Sequence, residues 1–174
     1  MVQSLELTFD RRADEVLRAQ WQALRDAGLP SMARHTGPTN RPHVTVDTRD
    51  EVAAEAEKSL APVALRLPLE LRIGGLLLFH GRRRWVLARH VVVDRPLLEL
   101  HAHAQAVLGP DSSPLTARGR WVPHLTLARN ISDEQLPEAL KIVSAAPPLV
   151  ATALRLRRWD SEEQRAWDVE PEWA

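Results

Sequence analysis

The stretch "RPHVTVDT" at residues 41–48 returns in slightly altered form as "VPHLTLAR" at residues 122–129. Each copy places a histidine two residues before a threonine and puts an aliphatic residue after each of them. Because side chains alternate between the two faces of a β-strand, the histidine and the threonine share one face and the aliphatic residues share the other. The repeated stretch therefore predicts two short strands, each with a buried aliphatic face and a free polar face.

The two copies occupy matching places in two similar parts of the chain. His43 lies 38 residues after Leu5, in the first predicted strand, and His124 lies 39 residues after Trp85, at the start of another. Between these points the apolar pattern predicts strand, helix, loop and strand in both parts. Such repetition is typical of a duplicated unit.

The length of the chain fits one domain. With 174 residues, of which 44% are hydrophobic, it can build a core of ordinary density. No Ser/Gly-rich linker separates the two parts. We therefore expect a single α/β domain over residues 1–174, made of two fused lobes of roughly 1–80 and 81–174.

The composition excludes several classes of protein. Lys+Arg and Asp+Glu are equal in number, 23 of each, which argues against coating of long nucleic acids but allows a small anionic ligand or a nucleic-acid end. Without cysteine the chain has no disulfide, thiolate nucleophile or cysteine-based metal centre. The N-terminus is not signal-like and no apolar run approaches the roughly 20 residues of a membrane helix, so we expect a cytoplasmic protein that does not enter membranes.

The polar faces of the two predicted strands carry groups suited to phosphate chemistry. Two residues of a strand span about 6.6 Å, so an imidazole and a hydroxyl at this spacing can hold one phosphate between them. Two such pairs would clamp the phosphate from both sides. An unperturbed imidazole titrates near pH ~6.5, so one histidine can act as an acid while the other acts as a base. This pairing suits an in-line displacement at phosphorus with no metal or other cofactor.

In the doubled motif, "HVTV" and "HLTL", and in the run "HLTLAR", the sequence resembles the 2H phosphoesterase superfamily and its bacterial branch named for RNA 2′,5′-ligase activity. The resemblance covers the whole chain in length and layout, and its specific part is the two motifs. It implies a bilobed, pseudo-twofold α/β (α+β) fold whose motifs face each other in a central cleft. It also implies metal-independent hydrolysis of a 2′,3′-cyclic phosphate, commonly to the 2′-phosphate, and in some members reversible 2′,5′-ligation.

The resemblance also implies roles for the motif residues. His43 and His124 would form the acid–base pair, with His43 as the acid and His124 as the base, although reversing the reaction exchanges these roles. Thr45 and Thr126 would donate hydrogen bonds to the nonbridging phosphate oxygens.

Four arginines are candidates for binding phosphate or substrate: Arg41, Arg118, Arg120 and Arg129. Arg129 follows His124 by five residues and so lies on the other face of an ideal strand. It reaches the phosphate only if the strand ends or bulges near Ala128. The other three lie in loops that precede a motif, where simple exposure to solvent is the alternative.

Other conspicuous stretches have simpler interpretations. "HAH" at 101–103 invites a metal site, but residues i and i+2 of the predicted helix lie on different faces, so we expect surface histidines and no metal. "GRRRW" at 81–85 is either a charged hairpin tip or an RNA contact. "GG" at 74–75, inside a strand pattern, predicts a bulge or a bend.

Three tryptophans, Trp121, Trp159 and Trp167, lie on predicted strands near the ends of the cleft. One of them could stack on a base, although burial is the simpler interpretation of each.

The sequence as a whole predicts a cyclic phosphodiesterase that works as a monomer. Its expected partner is an RNA end or a small nucleotide that carries a cyclic phosphate. The alternative is a binding module that recognises terminal or cyclic phosphates without turning them over. Catalysis by an acid and a base gives a bell-shaped pH–rate profile, whereas a binding module has no rate to measure.

Overall fold

The computed structural model describes residues 2–81 and 83–170. The strands are β1 (Gln3–Phe9), β2 (Val44–Arg49), β3 (Leu69–His80), β4 (Trp85–Val91), β5 (His124–Ile131), β6 (Leu149–Asp160) and β7 (Arg165–Asp168). The helices are α1 (Arg11–Asp26), α2 (Ala54–Lys58), α3 (Ala61–Ala64), α4 (Arg95–Leu108) and α5 (Leu136–Ser144), and a short 3₁₀ turn lies at Met32–Arg34.

The strands form one antiparallel sheet in the order β2-β1-β6-β3-β4-β5, and β7 pairs with the end of β6. β2 and β5, which carry the two motifs, stand at opposite ends of this order and nevertheless contact each other. The sheet therefore curls until its two edges meet. This arrangement confirms the predicted mixed α/β fold, and it brings the two motif strands to one place.

The predicted repeat is present in the order of the elements. β1, α1 and β2 form one unit and β4, α4 and β5 form the other, and in each unit the two strands pair directly. The remaining long strands cross between the predicted halves, since β3 pairs with β4 and β6 pairs with β1. We call β1, β2, β6 and β7 the first lobe, and β3, β4 and β5 the second lobe.

Helix α1 packs against two clusters of buried apolar residues, a larger one with residues from both lobes and a smaller one that includes Leu87, Leu127 and Ile131. The side chain of Asp10 caps its first turn by accepting from the backbone N–H of Ala13 at 3.0 Å. Its buried face then presents Leu17 to the larger cluster and Trp21 and Leu24 to the smaller one. The spacing of these residues, four and then three, is that of one helix face.

Two smaller predictions can be compared with the structure. The register between β3 and β4 shifts between Ile73 and Leu76, so the two glycines at 74–75 form the predicted bulge. The prediction of surface histidines at 101–103 is wrong for His101, which is 3% exposed because its ring stacks on Trp121. No helix among the described residues is both long and apolar enough to cross a membrane.

Candidate active site

The two motif histidines are held in the same way. Nδ1 of His43 lies 2.7 Å from the carbonyl oxygen of Arg41, and Nδ1 of His124 lies 2.8 Å from the carbonyl oxygen of Val122. Because a carbonyl oxygen only accepts, each Nδ1 carries the hydrogen. Nε2 is then the nitrogen of each ring that is left to exchange a proton.

Two tryptophans fix the motif strands from opposite directions. The indole N–H of Trp121, just before β5, donates to the carbonyl oxygen of Thr45 at 2.9 Å. That of Trp21, on α1, donates to the carbonyl oxygen of Thr126 at 3.0 Å. Each half of the chain thus holds the motif threonine of the other half.

Strand β2 carries a β-bulge directly after its threonine. Thr45 pairs with Glu6, but the next pair joins Asp47 to Leu5, so Val46 is an extra residue. Val46 and Asp47 are both buried as a result, and Thr48 turns to the polar face.

Strand β5 bulges at the same offset. Thr126 pairs with Ala88, but the next pair joins Ala128 to Leu87, and both residues at 127–128 are buried. Alternation therefore resumes one residue later, and Arg129 lines the cleft together with His43. The bulge is the one that the sequence required near Ala128.

A cleft of about 750 Å³ opens beside the first motif. Its wall contains His43, Thr45, Arg129, Arg157 and Trp159. The charge of His43 reaches across to His124 and contributes to lowering the pKa of that ring. His43, Thr45 and Arg129 thus line one cleft, and His124 lies within reach of the charge of His43.

On the first lobe, a buried carboxylate lies beside the motif histidine. Oε1 of Glu6 is 3.6 Å from Nε2 of His43, and the Glu6 side chain is 5% exposed. Oε1 accepts from the hydroxyl of Ser4 at 2.7 Å, and Oε2 accepts from two nitrogens of Arg157 at 3.0 and 2.5 Å. Burial raises the pKa of Glu6, but the charges of His43 and Arg157 and these hydrogen bonds outweigh it and hold that pKa below its ordinary value.

On the second lobe, the surroundings of the motif histidine are apolar and cationic. The ring of Phe79 lies 4.7 Å from that of His124, tilted by 50°. Burial lowers the pKa of His124, the hydrogen bond to Val122 opposes this, and the positive charges of Arg129 and His43 lower the pKa further. The pKa of His124 therefore lies below the ordinary value of about 6.5, and the ring is mainly neutral at pH 7.

Among the described residues that line this cleft, Arg129 is the one arginine that the sequence predicted. The guanidinium of Arg41 is 3.5 Å from a carboxylate oxygen of Asp14 on α1. Arg118 lines a separate hollow beside α4, together with Asp94. Arg120 is exposed. At the hairpin tip 81–85, Arg82 lies outside the described residues, and its two neighbouring arginines are exposed.

The sequence did not reveal Glu6 and Arg157, the polar residues behind the first motif. It indicated Trp159 as one of three tryptophans that could stack on a base and did not distinguish among them. Glu6 sits at a polar position of the alternating β1 pattern, which by itself indicates a side chain facing solvent. Its partner Arg157 is 151 residues away. Four described tryptophans donate their indole N–H to oxygens of the chain, and Trp159 makes no such bond within the described residues.

The described residues contain no group of three or more histidine, cysteine, aspartate or glutamate side chains that could hold a metal ion.

Comparisons with known proteins agree with this geometry. A profile of the 2′-5′ RNA ligase superfamily matches residues 13–165. Similar solved structures include E. coli LigT complexed with 3′-AMP, at 19% identity and a TM-score of 0.52 over 95% of this chain and 91% of LigT. Another is Usb1 of Kluyveromyces marxianus, at 12% identity and a TM-score of 0.54 over 97% of both chains. A third, described as a phosphoesterase, has 18% identity and a TM-score of 0.57 over 96% of this chain and 92% of its own.

At these identities the solved structures establish a shared fold. No protein of curated function matches the sequence closely enough to count as a relative.

Proposed function

This chain belongs to the 2′-5′ RNA ligase superfamily, and from that premise we propose that it is a metal-independent cyclic phosphodiesterase. Its substrate would be a 2′,3′-cyclic phosphate at an RNA end or on a small nucleotide. The observation that carries the proposal is the pair of His-x-Thr motifs on two strands in contact, with both histidines bonded through Nδ1 so that Nε2 is free. One phosphate between these strands would meet two imidazoles and two hydroxyls.

The threonines and Arg129 would bind the phosphate. The hydroxyls of Thr45 and Thr126 donate to its nonbridging oxygens, one from each lobe. Arg129, turned to the cleft by the bulge in β5, adds a positive charge. Such donors stabilise the charge that accumulates on the phosphoryl oxygens in the transition state. Phosphate contact by Arg41, Arg118 and Arg120 stays a prediction from the sequence.

The roles of the histidines follow from their surroundings. His124 is the ring whose pKa is lowered, so it is neutral at pH 7 and suited to be the base. It takes a proton from water as the water oxygen bonds to phosphorus. The bond from phosphorus to the ribose 3′-oxygen breaks, and His43 gives that oxygen the proton from its Nε2. The product carries a 2′-phosphate, and a 5′-hydroxyl in place of water would form a 2′,5′ bond.

Three observations favour a small nucleotide or a nucleic-acid end as the substrate. Trp159 lies on the first-lobe wall, where a nucleobase could stack on its indole ring. LigT was solved with 3′-AMP and Usb1 with uridine monophosphate, which supports a nucleotide as the ligand of this fold. The chain has no excess of positive charge that would bind a long RNA.

The experiment is a turnover assay in EDTA with 2′,3′-cyclic nucleotides and a short RNA that ends in a 2′,3′-cyclic phosphate. Wild type is compared with His43→Ala and His124→Ala. The control is His103→Ala, because His103 lies on α4, outside both motifs, and its imidazole accepts a hydrogen bond from Arg66. We expect each motif variant to lose about 10²- to 10⁴-fold in kcat/KM, as is typical for loss of an acid or base, and the control to keep its activity. Circular dichroism checks that the variants fold.

The competing function is a binding module for terminal or cyclic phosphates. It predicts no turnover by wild type, with nucleotide binding in calorimetry that weakens on loss of any motif residue. Metal-free turnover that needs both histidines would exclude it.

We also propose that the protein acts in the cytoplasm. We propose further that it acts as a monomer, since both motifs come from one chain. Light scattering after size-exclusion chromatography tests the monomer.

A further inference from the structure

Glu6 has no counterpart in the second half of the chain. It pairs with Thr45 across β1 and β2, and the residue that pairs in the same way with Thr126 is Ala88. One strand farther in, Arg157 lies next to Glu6, whereas Leu77 lies next to Ala88. The repeated unit thus carries a buried ion pair behind one motif threonine and two aliphatic side chains behind the other.

The distance between Glu6 and His43 is informative. At 3.6 Å, Oε1 of Glu6 and Nε2 of His43 are too far apart for an ordinary hydrogen bond, which spans about 2.7–3.2 Å. They are close enough for a strong interaction between charges in a partly buried setting. A proton on Nε2 is therefore stabilised without being committed to Glu6, and it stays available to a substrate oxygen.

The carboxylate is built to remain charged at this place. Arg157 and Ser4 hold both of its oxygens, and the third nitrogen of Arg157 donates to the carbonyl oxygen of Thr39 at 3.0 Å. These bonds fix Glu6 on the floor of the cleft. Its lowered pKa agrees with an anionic state at neutral pH.

We propose that Glu6 is a positioning residue whose negative charge, 3.6 Å from Nε2 of His43, favours a proton on that ring and so makes His43 the acid of the pair. The proposal rests on the proposed function. The proposal also covers the other motif. Ala88 holds the position that corresponds to Glu6, so no carboxylate at that position favours a proton on His124, and this ring can be neutral and act as the base. One residue at a repeated position would thereby give two identical motifs different tasks.

Several charged or titratable groups face His43 besides Glu6. They are Arg157 on β6, Arg129 on β5 and His35 in the loop before β2, which line the cleft with it, and His124 on β5, which is within reach of its charge. Among the described residues, Glu6 is the one anion within ion-pair distance of the His43 ring. The other groups named here are positive or neutral.

The test compares the pH dependence of kcat/KM for a 2′,3′-cyclic nucleotide in wild type and Glu6→Gln. We expect the alkaline limb of Glu6→Gln to move to lower pH. Its rate would be within about twofold of wild type at pH 5.5 and about tenfold lower at pH 8, since loss of an adjacent opposite charge disfavours the protonated ring. Glu15→Gln, an equal change of charge at an exposed position of α1, should keep the wild-type profile.

Glu6→Gln leaves the guanidinium of Arg157 without its carboxylate, so a second variant protects the test against misfolding. Glu6→Gln combined with Arg157→Met removes both members of the buried pair, a change that proteins commonly tolerate. We expect the alkaline limb to move in the same direction but less far, because loss of the Arg157 charge partly offsets loss of the Glu6 charge. A loss of rate by one constant factor at every pH, in both variants, would overturn the proposal and leave Glu6 a structural role.

NMR titration of the His43 imidazole separates this proposal from the proposed function. The resonance is assigned by its absence in His43→Asn, and its midpoint should fall in Glu6→Gln whether or not the protein turns over nucleotides. A fall without any turnover by wild type would overturn the phosphodiesterase and keep the influence of Glu6. Turnover by wild type with an unmoved midpoint in Glu6→Gln would support the phosphodiesterase and overturn the influence of Glu6.

Discussion

The two motif strands share a backbone and differ in what lies behind them. Both fix the histidine through Nδ1, both receive an indole N–H on the threonine carbonyl, and both bulge directly after the threonine. Behind Thr45 lies the Glu6–Arg157 ion pair, and behind Thr126 lie Ala88 and Leu77. A symmetric frame can position one phosphate, whereas asymmetric neighbours can divide acid from base.

The largest effect tests the symmetric part of this comparison. Thr45→Val and Thr126→Val each remove a hydroxyl donor and keep the side-chain volume. We expect each to lower kcat/KM for a cyclic nucleotide by about 100-fold, the usual effect of losing one transition-state donor. Thr152→Val, on β6 away from both motifs, is the control. Unequal losses would mean that the phosphate lies nearer one lobe than the other.

A smaller effect tests which lobe carries the nucleoside. Trp159→Ala should raise KM for cyclic nucleotides about tenfold, because stacking on an aromatic ring contributes about 1–3 kcal/mol per base. Trp159→Phe keeps a ring and should stay close to wild type. A cyclic phosphate that lacks a base, such as glycerol 1,2-cyclic phosphate, should be turned over equally by all three proteins. An equal rise of KM for this substrate would remove the first lobe as the base platform.

The Arg129→Gln variant tests whether His124, on the second lobe, is the base. The positive charge of Arg129 is one cause of the lowered pKa of His124, so the variant should raise that pKa. A base works in its neutral form, and activity is lost as pH falls through its pKa, so the acid limb of kcat/KM moves to higher pH. We expect a rate about threefold lower at pH 8 from the weaker phosphate contact, and a larger loss at pH 6. An acid limb that stays in place would assign the base to another group.

The smallest effect on turnover is expected from the two tryptophans that donate to the threonine carbonyl oxygens, because their hydrogen bonds contribute to stability. Trp21→Phe and Trp121→Phe each remove one indole hydrogen bond, and each should lower the free energy of unfolding by about 1 kcal/mol or somewhat more. Urea denaturation measures this loss. Trp21 is the more deeply buried of the two, so its variant should lose more stability. A greater loss for Trp121→Phe would contradict this order and show that depth of burial does not set the cost of losing the indole hydrogen bond.

The sequence predicted the repeated part of the molecule well and the unrepeated part poorly. His43 and Thr45 could be placed on one face because strand alternation is local. The bulge that turns Arg129 to the cleft could be stated only as a condition, because a bulge depends on pairing with β4. The role of the "HAH" stretch was misread for His101 because Trp121, its stacking partner, lies 20 residues farther along the chain and does not belong to its helix.

Glu6 shows the same limit more sharply. All but the first residue of β1 are buried, so its polar face is covered as well as its apolar face. Arg157 on the neighbouring strand β6, at the far end of the chain, bonds Glu6 on this face, and nothing near Glu6 in the sequence announces it. Alternation identifies the polar face of a strand, but only the fold decides whether that face meets water or a cleft.

The exchange of β3 and β6 between the two parts of the chain has a consequence for how the protein could be divided. A fragment that ends at the hairpin after β3 would keep β1 without β6 and β3 without β4. Each fragment would expose strand edges that the other fragment alone can pair. Cutting the chain at this hairpin should therefore yield two pieces that are inactive and aggregation-prone apart and that regain activity when refolded together.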